Sequence, residues 1–211
     1  MTADLLSCLC AYLVGGISFA VLVGRLKGVD IRAHGSGNPG ATNVGRLLGR
    51  GWGRAVLVAD ILKGFLPVAL LSAWPGVLDR DGRAPILAAV VIGHIAPLTS
   101  GFRGGKGVAS FVGGTLAYDW LLALLALAVH VGVRRATRLV ALASVALALA
   151  FPLLQLATRA LLPDGPLSPF WAARRTDGLL VTCGLALLVT LRHAGNFARM
   201  RAGSEHREPG D

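Results

Sequence analysis

Three short segments of this sequence hold most of the polar chemistry that is not needed to build helices. Residues 35–46 read GSGNPGATNVGR, residues 93–110 read GHIAPLTSGFRGGKGVAS, and residues 192–205 read RHAGNFARMRAGSE. Glycines let backbone N–H groups converge on an anion. Ser36, Asn38, Thr42 and Asn43 add neutral donors, and Arg46 and Lys106 add charge. Acceptors are scarce: only Asp30 and Asp60 lie near the first segment, and Glu205 falls in the third. A surface rich in donors and poor in carboxylates suits a phosphate. Any one glycine run could be a plain turn, and Arg192 and His193 could simply offset a helix dipole. The three together ask for more than turns.

Several other chemistries are excluded by spacing. A Walker A loop needs G-x-x-x-x-G-K-[ST], but Ser100 stands where the first glycine belongs and Gly107 where the Ser or Thr belongs. A soluble-type acyltransferase would place Asp five residues after His on an ordered element, and the one such pair here is His206 and Asp211 in a polar tail. Cys8, Cys10 and Cys183 sit in apolar runs, with neither a disulfide framework nor zinc spacing. Asp60 and Lys63, three apart on a helix, read as a structural ion pair. His94, at the end of an apolar run, reads as a packing or supporting residue.

The elements that position these segments are membrane helices. Of 211 residues, 54% are hydrophobic and 15% charged, with a mean hydropathy of +0.64. Soluble domains carry roughly 25% charged residues. At about 20 residues per span, membrane helices use up nearly the whole length, leaving a single integral membrane domain, 1–211, with a flexible tail from about 204. The net charge of +10 then reflects loop residues that set orientation and attract lipid headgroups, not nucleic acid. Lys stands at only three positions, 27, 63 and 106, among 21 basic residues. A lysine in a glycine loop is therefore wanted for its compact ammonium.

Hydropathy and basic flanks give the course of the chain. A first helix over 5–24 is followed by Arg25, Lys27 and Arg32, so its N-terminus is expected outside and that flank inside. A second helix is expected over 54–76, a charge-balanced outside turn around Asp79–Arg83, and a third opened by Pro85. The stretch 108–133 reads as two short helices broken near Tyr118-Asp119-Trp120, which returns the Arg134-Arg135-Arg138 cluster to the inside. An interfacial segment is expected at 163–176, and a last helix over 177–192. The fold class is all-α, about seven transmembrane helices, some short, with polar loops forming a site on the cytoplasmic side.

With these residues on the page, the sequence closely resembles the bacterial membrane glycerol-3-phosphate acyltransferases that use acyl phosphate as donor. That family's GSGN-x-GATN-x-x-R signature is matched by Gly35 through Asn43 and Arg46. Its GH…F-x-GGKGVA[TS] segment is matched by Gly93-His94, Phe102 and Gly104 through Ser110. Its H-x-x-N-x-x-R…G-x-E run is matched by His193, Asn196, Arg199, Gly203 and Glu205. DILKG at 60–64 and LAS at 142–144 also resemble it, while Ala194 departs from it, since a basic residue is common there.

The resemblance implies transfer of a fatty acyl group from acyl phosphate to the 1-hydroxyl of sn-glycerol 3-phosphate, giving lysophosphatidic acid and inorganic phosphate, the first acylation step of phospholipid synthesis. It implies no cofactor and no metal, a multi-pass protein of the bacterial inner membrane, and a site facing the cytoplasm. A monomer is expected, with association with the enzyme that makes acyl phosphate left open. Ser36, Arg46 and Lys106 are expected to bind phosphate with Gly35, Gly37, Asn38, Thr42, Asn43 and the N–H groups of Gly104, Gly105 and Gly107. His193 and Asn196 would orient the hydroxyl or carbonyl, with either His193 or a substrate phosphate as base. His94, Asp60, Lys63, Gly203 and Glu205 are expected to support the site. Competing classes are a small-anion transporter, which would show a repeat and a midplane site, and a lipid-binding structural protein.

Overall fold

The described residues of the computed structural model, 2–71, 83–161 and 176–207, form helices joined by loops, with no strand among them. The chain divides into two units, Met1–Tyr118 and Asp119–Asp211.

In the first unit the opening apolar run is not one helix. It is α1 (Thr2–Gly15) and α2 (Phe19–Leu26), interrupted at Gly16–Ser18, where Ser18 Oγ accepts the Val21 N–H and restarts the helix. Then come α3 (Ala41–Leu48), α4 (Arg50–Leu71), α5 (Arg83–Ile95), a 3₁₀ turn at Leu98–Ser100, and α6 (Val108–Tyr118). The expected second helix is α4, starting four residues early; residues 72–82, including most of the turn expected around Asp79–Arg83, lie outside the described residues. Two backbone contacts hold the unit together. A Cβ on Gly64 would overlap the Ser110 carbonyl, and one on Gly113 would overlap the Ile61 carbonyl, so α4 and α6 approach as closely as two helices without side chains between them. On the other side α1 packs on α5, and the Tyr12 hydroxyl donates to Ala96 O at 2.7 Å, just past the end of α5.

The second unit contains α7 (Trp120–Thr137), α8 (Val140–Leu161), α9 (Thr176–Leu191) and α10 (Ala194–Arg201). The break expected at 118–120 is present: Asp119 caps α7, its Oδ1 accepting the Leu122 N–H at 3.1 Å. Arg138, in the left-handed conformation (φ 59°), ends α7. Inside the α8–α9 contact the Thr182 hydroxyl donates to the Gln155 side chain. The interfacial segment expected at 163–176 lies, but for Thr176, outside the described residues.

Among the described residues four stretches are long and apolar enough to cross a membrane: 4–26, 83–100, 120–137 and 140–161. The pair Gly178–Leu191 and Ala194–Arg201, bent by 46°, makes a fifth if the two helices are one broken span and not a re-entrant loop. The described part of α4 does not join them, because Arg54, Asp60 and Lys63 interrupt it.

Candidate active site

The first polar loop is shaped by one buried side chain. Asn43, in the first turn of α3, is 1% exposed. Its Nδ2 donates to Ile31 O (2.9 Å) and His34 O (3.0 Å), while its Oδ1 accepts the Ser36 N–H at 2.9 Å. Both amide hydrogens are thereby committed to the loop. Gly35 and Gly37 turn in the left-handed region (φ 62° and 69°), and a Cβ on Gly35 would overlap Asn43 Oδ1. The consequence is electrostatic. Two loop carbonyls point inward onto Asn43, and the outward surface keeps the donors.

Those donors share one face. Thr42 and Arg46 are four apart on α3, both exposed and without a hydrogen bond or ion pair among the described residues. Ser36 is exposed beside them in sequence, and its Oγ accepts the Asn38 N–H at 3.5 Å. Gly40, extended at φ −149°, opens α3.

The second polar loop is shaped by backbone. Gly104 N–H donates to Ile95 O and Gly105 N–H to His94 O, both at 3.1 Å, so the loop folds back over the last turn of α5. These two amides are expected from the sequence to complete an anion cradle. In the structure they satisfy carbonyls that the end of a helix leaves open, and they can meet an anion only by sharing those bonds. Gly104, Gly105 and Gly107 are buried and Lys106 is half-buried. A Cβ on Gly105 would overlap His94 Nε2.

Beneath this loop lies a buried polar network. His94 Nδ1 is 3.1 Å from Ser110 Oγ and 3.8 Å from Asp60 Oδ1; Ser110 Oγ donates to Asp60 O at 3.2 Å. The Nε2 edge of the His94 ring faces Gly105. Asp60 pairs with Lys63 at 2.8 Å, both side chains 3% exposed. The Lys63 ammonium also donates to Ile17 O at 2.6 Å, a carbonyl in the break between α1 and α2. The ion pair that the i,i+3 spacing suggests is therefore present, and one of its members fills a gap in the first span.

In the second unit the bend between α9 and α10 carries the third segment. His193 stands at the bend, 2% exposed, and its Nδ1–H donates to Val189 O at 2.8 Å. The neutral ring then has its lone pair on Nε2. Asn196, one turn on, donates from Nδ2 to Glu205 Oε1 at 2.8 Å; Arg199 Nε donates to Glu205 Oε2, also at 2.8 Å. Gly203 (φ 68°) reverses the chain so that Glu205 can reach back. Glu205, in the tail expected to be flexible from about 204, accepts from two side chains of α10; residues 208–211 lie outside the described residues.

Three residues have contacts that the sequence does not show. Asn43 is expected among the phosphate-binding residues, and no spacing rule separates a loop amide that faces in from one that faces out. Ser110 read as the end of a motif, not as the link between His94 and Asp60. Arg32 read as a basic flank, whereas its Nη2 crosses to the carbonyl of Arg103 in the second loop, at 3.2 Å.

A family model described as "Glycerol-3-phosphate acyltransferase" matches residues 5–203. Among similar proteins, the glycerol-3-phosphate acyltransferase of Geobacter sulfurreducens is 41% identical over 209 residues, covering 98% of both chains. That of Aquifex aeolicus is 37% identical over 204 residues, covering 93% of this chain and 95% of its own. The crystal structure of PlsY (YgiH), an integral membrane glycerol 3-phosphate acyltransferase, in its glycerol 3-phosphate form superimposes with a TM-score of 0.85 at 34% identity, over 98% of this chain and 96% of that one. Its lysophosphatidic acid form gives 0.82, also at 34% identity, over 98% and 95%.

Proposed function

The chain belongs to the glycerol-3-phosphate acyltransferase family, and from that premise we propose that it moves a fatty acyl group from acyl phosphate to the 1-hydroxyl of sn-glycerol 3-phosphate. It is an integral membrane enzyme. The observation that carries the substrate side is the exposed face of α3: Thr42 and Arg46 are turned outward while Asn43 draws two of the loop's carbonyls inward. Such a face favours a phosphate dianion over any neutral or cationic group.

The chemistry is an acyl transfer without a covalent enzyme intermediate. The glycerol oxygen attacks the acyl carbonyl, a new C–O bond forms, and the bond from that carbon to the phosphate oxygen breaks. The hydroxyl proton goes to His193 Nε2, whose lone pair the Val189 contact secures, or to a phosphate oxygen of the substrate. It leaves with inorganic phosphate, and the lipid product is lysophosphatidic acid. Ser36, Arg46 and Lys106 hold the phosphate. Asn196, aligned by Glu205, orients the hydroxyl or the carbonyl.

The donor is assigned on size and leaving group. A thioester of coenzyme A or of a carrier protein must dock a nucleotide or a folded partner. The described connections beside the site, 27–40 and 96–107, are short and folded onto their own helices. Acyl phosphate needs an anion site and access for its chain from the bilayer, and its phosphate leaves without a strong general acid.

We further propose that residues 1–211 work as one membrane domain with seven spans and the polar segments on the cytoplasmic side. In a background lacking Cys8, Cys10 and Cys183, single cysteines at Ser36 and Ser204, both exposed, should react with an impermeant reagent from the cytoplasmic side alone. For the reaction itself, purified protein given glycerol 3-phosphate should release phosphate and form lysophosphatidic acid with palmitoyl phosphate. Comparable turnover with palmitoyl-CoA would overturn the donor assignment.

A further inference from the structure

We propose that Arg32 is a positioning residue that pins the second polar loop against the first and so sets the spacing of the two halves of the phosphate site; this rests on the reading of that site given above. Arg32 precedes the GSGN run and lies outside the three polar segments. Its backbone N–H donates to Asp30 Oδ1 at 2.9 Å, and its carbonyl lies 3.2 Å from where a Cβ on Gly37 would stand, so its main chain is part of the first loop. Its side chain is not. Nη2 reaches 71 positions along the chain to donate to Arg103 O at 3.2 Å.

The target of that bond decides its meaning. A trans peptide is planar, with its C=O and N–H pointing in opposite directions. The Arg103–Gly104 peptide is held at both ends: Arg32 binds its oxygen, and its nitrogen, Gly104 N, donates to Ile95 O at 3.1 Å. The next amide, Gly105 N–H, is held by His94 O at 3.1 Å. With these planes unable to rotate, Lys106 leaves the loop in one direction. The bonds to α5 fix the loop to its own helix; the bond from Arg32 ties it to the first loop. Ser100 Oγ donates to the same Arg103 oxygen at 3.4 Å, a weaker and local contact.

The Arg32 side chain also accepts a cost to be there. Its Nε is buried and has no hydrogen-bond partner among the described residues. An arginine serving only as a charged flank would swing into water and hydrate that N–H, because an unpaired buried donor is unfavourable.

The test uses the purified full-length protein and equilibrium binding of glycerol 3-phosphate by calorimetry, which needs no acyl donor. Arg32→Met should weaken binding by about ten-fold or more, the scale of one charged hydrogen bond. Arg32→Lys, which can still donate to the carbonyl, should recover most of the loss. Hydrogen exchange on the ligand-free protein should rise in peptides spanning 102–107 for Arg32→Met and remain at the wild-type rate for Arg32→Lys. In turnover the loss should fall on the glycerol 3-phosphate KM and leave kcat and the donor KM within a few-fold. If Arg32→Met does not fold, Ser100→Ala replaces it and should raise the same exchange and weaken binding by a smaller factor. Unchanged exchange in the ligand-free loop overturns the proposal even if affinity falls, since Arg32 would then touch the anion itself. Unchanged affinity overturns it too. A wild-type protein that bound no glycerol 3-phosphate would instead sink the reading of the site on which the proposal rests.

Discussion

In the unit Met1–Tyr118 the exposed donors Thr42 and Arg46 have no partner among the described residues and stand on a scaffold held by neutral hydrogen bonds, whereas in Asp119–Asp211 His193 is buried at the α9–α10 bend and Asn196 and Arg199 are both bound to Glu205. Asn43 satisfies the first loop from inside and leaves the charge outside uncompensated. Glu205 does the reverse: it pairs with Arg199 and holds Asn196, beside a buried imidazole whose Nδ1 is fixed on Val189 O. The first arrangement attracts an anion. The second holds an imidazole in one orientation, as a positioned proton acceptor requires.

If that division holds, substitutions in the two units should act on different kinetic constants. The largest expected effect is at the bend. His193→Ala should lower kcat by roughly 10²–10⁴, the usual contribution of general base catalysis, and leave the glycerol 3-phosphate KM within a few-fold. Steady-state kinetics in both substrates would show it. A near-normal kcat would move the proton to a substrate phosphate oxygen and leave His193 as a bend residue.

Next comes the scaffold of the first loop. Asn43→Ala removes three hydrogen bonds at a site 1% exposed. At about 1 kcal/mol each, with added cost for groups left unpaired, the loss should be about 2–4 kcal/mol. Thermal unfolding and KM should both respond, because the carbonyls of Ile31 and His34 would be free to turn toward the anion. A change in KM with no change in stability would place Asn43 on the substrate instead.

Arg46→Ala and Lys106→Ala should act on binding. Loss of one charge-assisted bond costs about 1.5–3 kcal/mol, so the glycerol 3-phosphate KM should rise roughly ten- to 150-fold, while for the exposed Arg46 thermal stability stays put. A fall in kcat with KM unmoved would erase the distinction between the two units.

The sequence exposes the parts of this division unevenly. All-helical membrane character, the break before Trp120 and the ion pair of Asp60 with Lys63 follow from hydropathy, the placement of the Arg cluster and i,i+3 spacing. All are local rules, and the structure obeys them. The interruption at Gly16–Ser18 left no such trace, because an apolar run looks the same whether or not a helix pauses in it. Its purpose is seen only when Lys63, far along the chain, is found on the Ile17 carbonyl. Glycines 104 and 105 are legible as special, but the sequence does not show their contact with the end of α5. They sit where His94 and the end of α5 leave no room for a side chain, and their amides serve the helix end. Composition reports which groups can donate; which way they face is set by long-range packing.

The smallest expected effect belongs to Glu205→Gln, and its size tests whether the bend's carboxylate is a clamp or a participant. The side chain of Glu205 is 7% exposed but that of Arg199 is 42% exposed, so solvent screens the charge between them and the pair should contribute less than about 1 kcal/mol. Gln keeps an oxygen of the same reach, and that oxygen can still accept from Asn196 Nδ2. The bond that suffers is the one to Arg199, which can turn into water from its exposed position. Glu205→Gln should therefore lower kcat by no more than a few-fold and barely move the unfolding temperature. Glu205→Ala, which frees Asn196 as well, should cost clearly more in both. A Glu205→Gln enzyme as inactive as His193→Ala would mean that the negative charge itself takes part in the reaction. The bend would then have to be read as a charged acid–base pair, and the contrast with the first unit would fail at this residue.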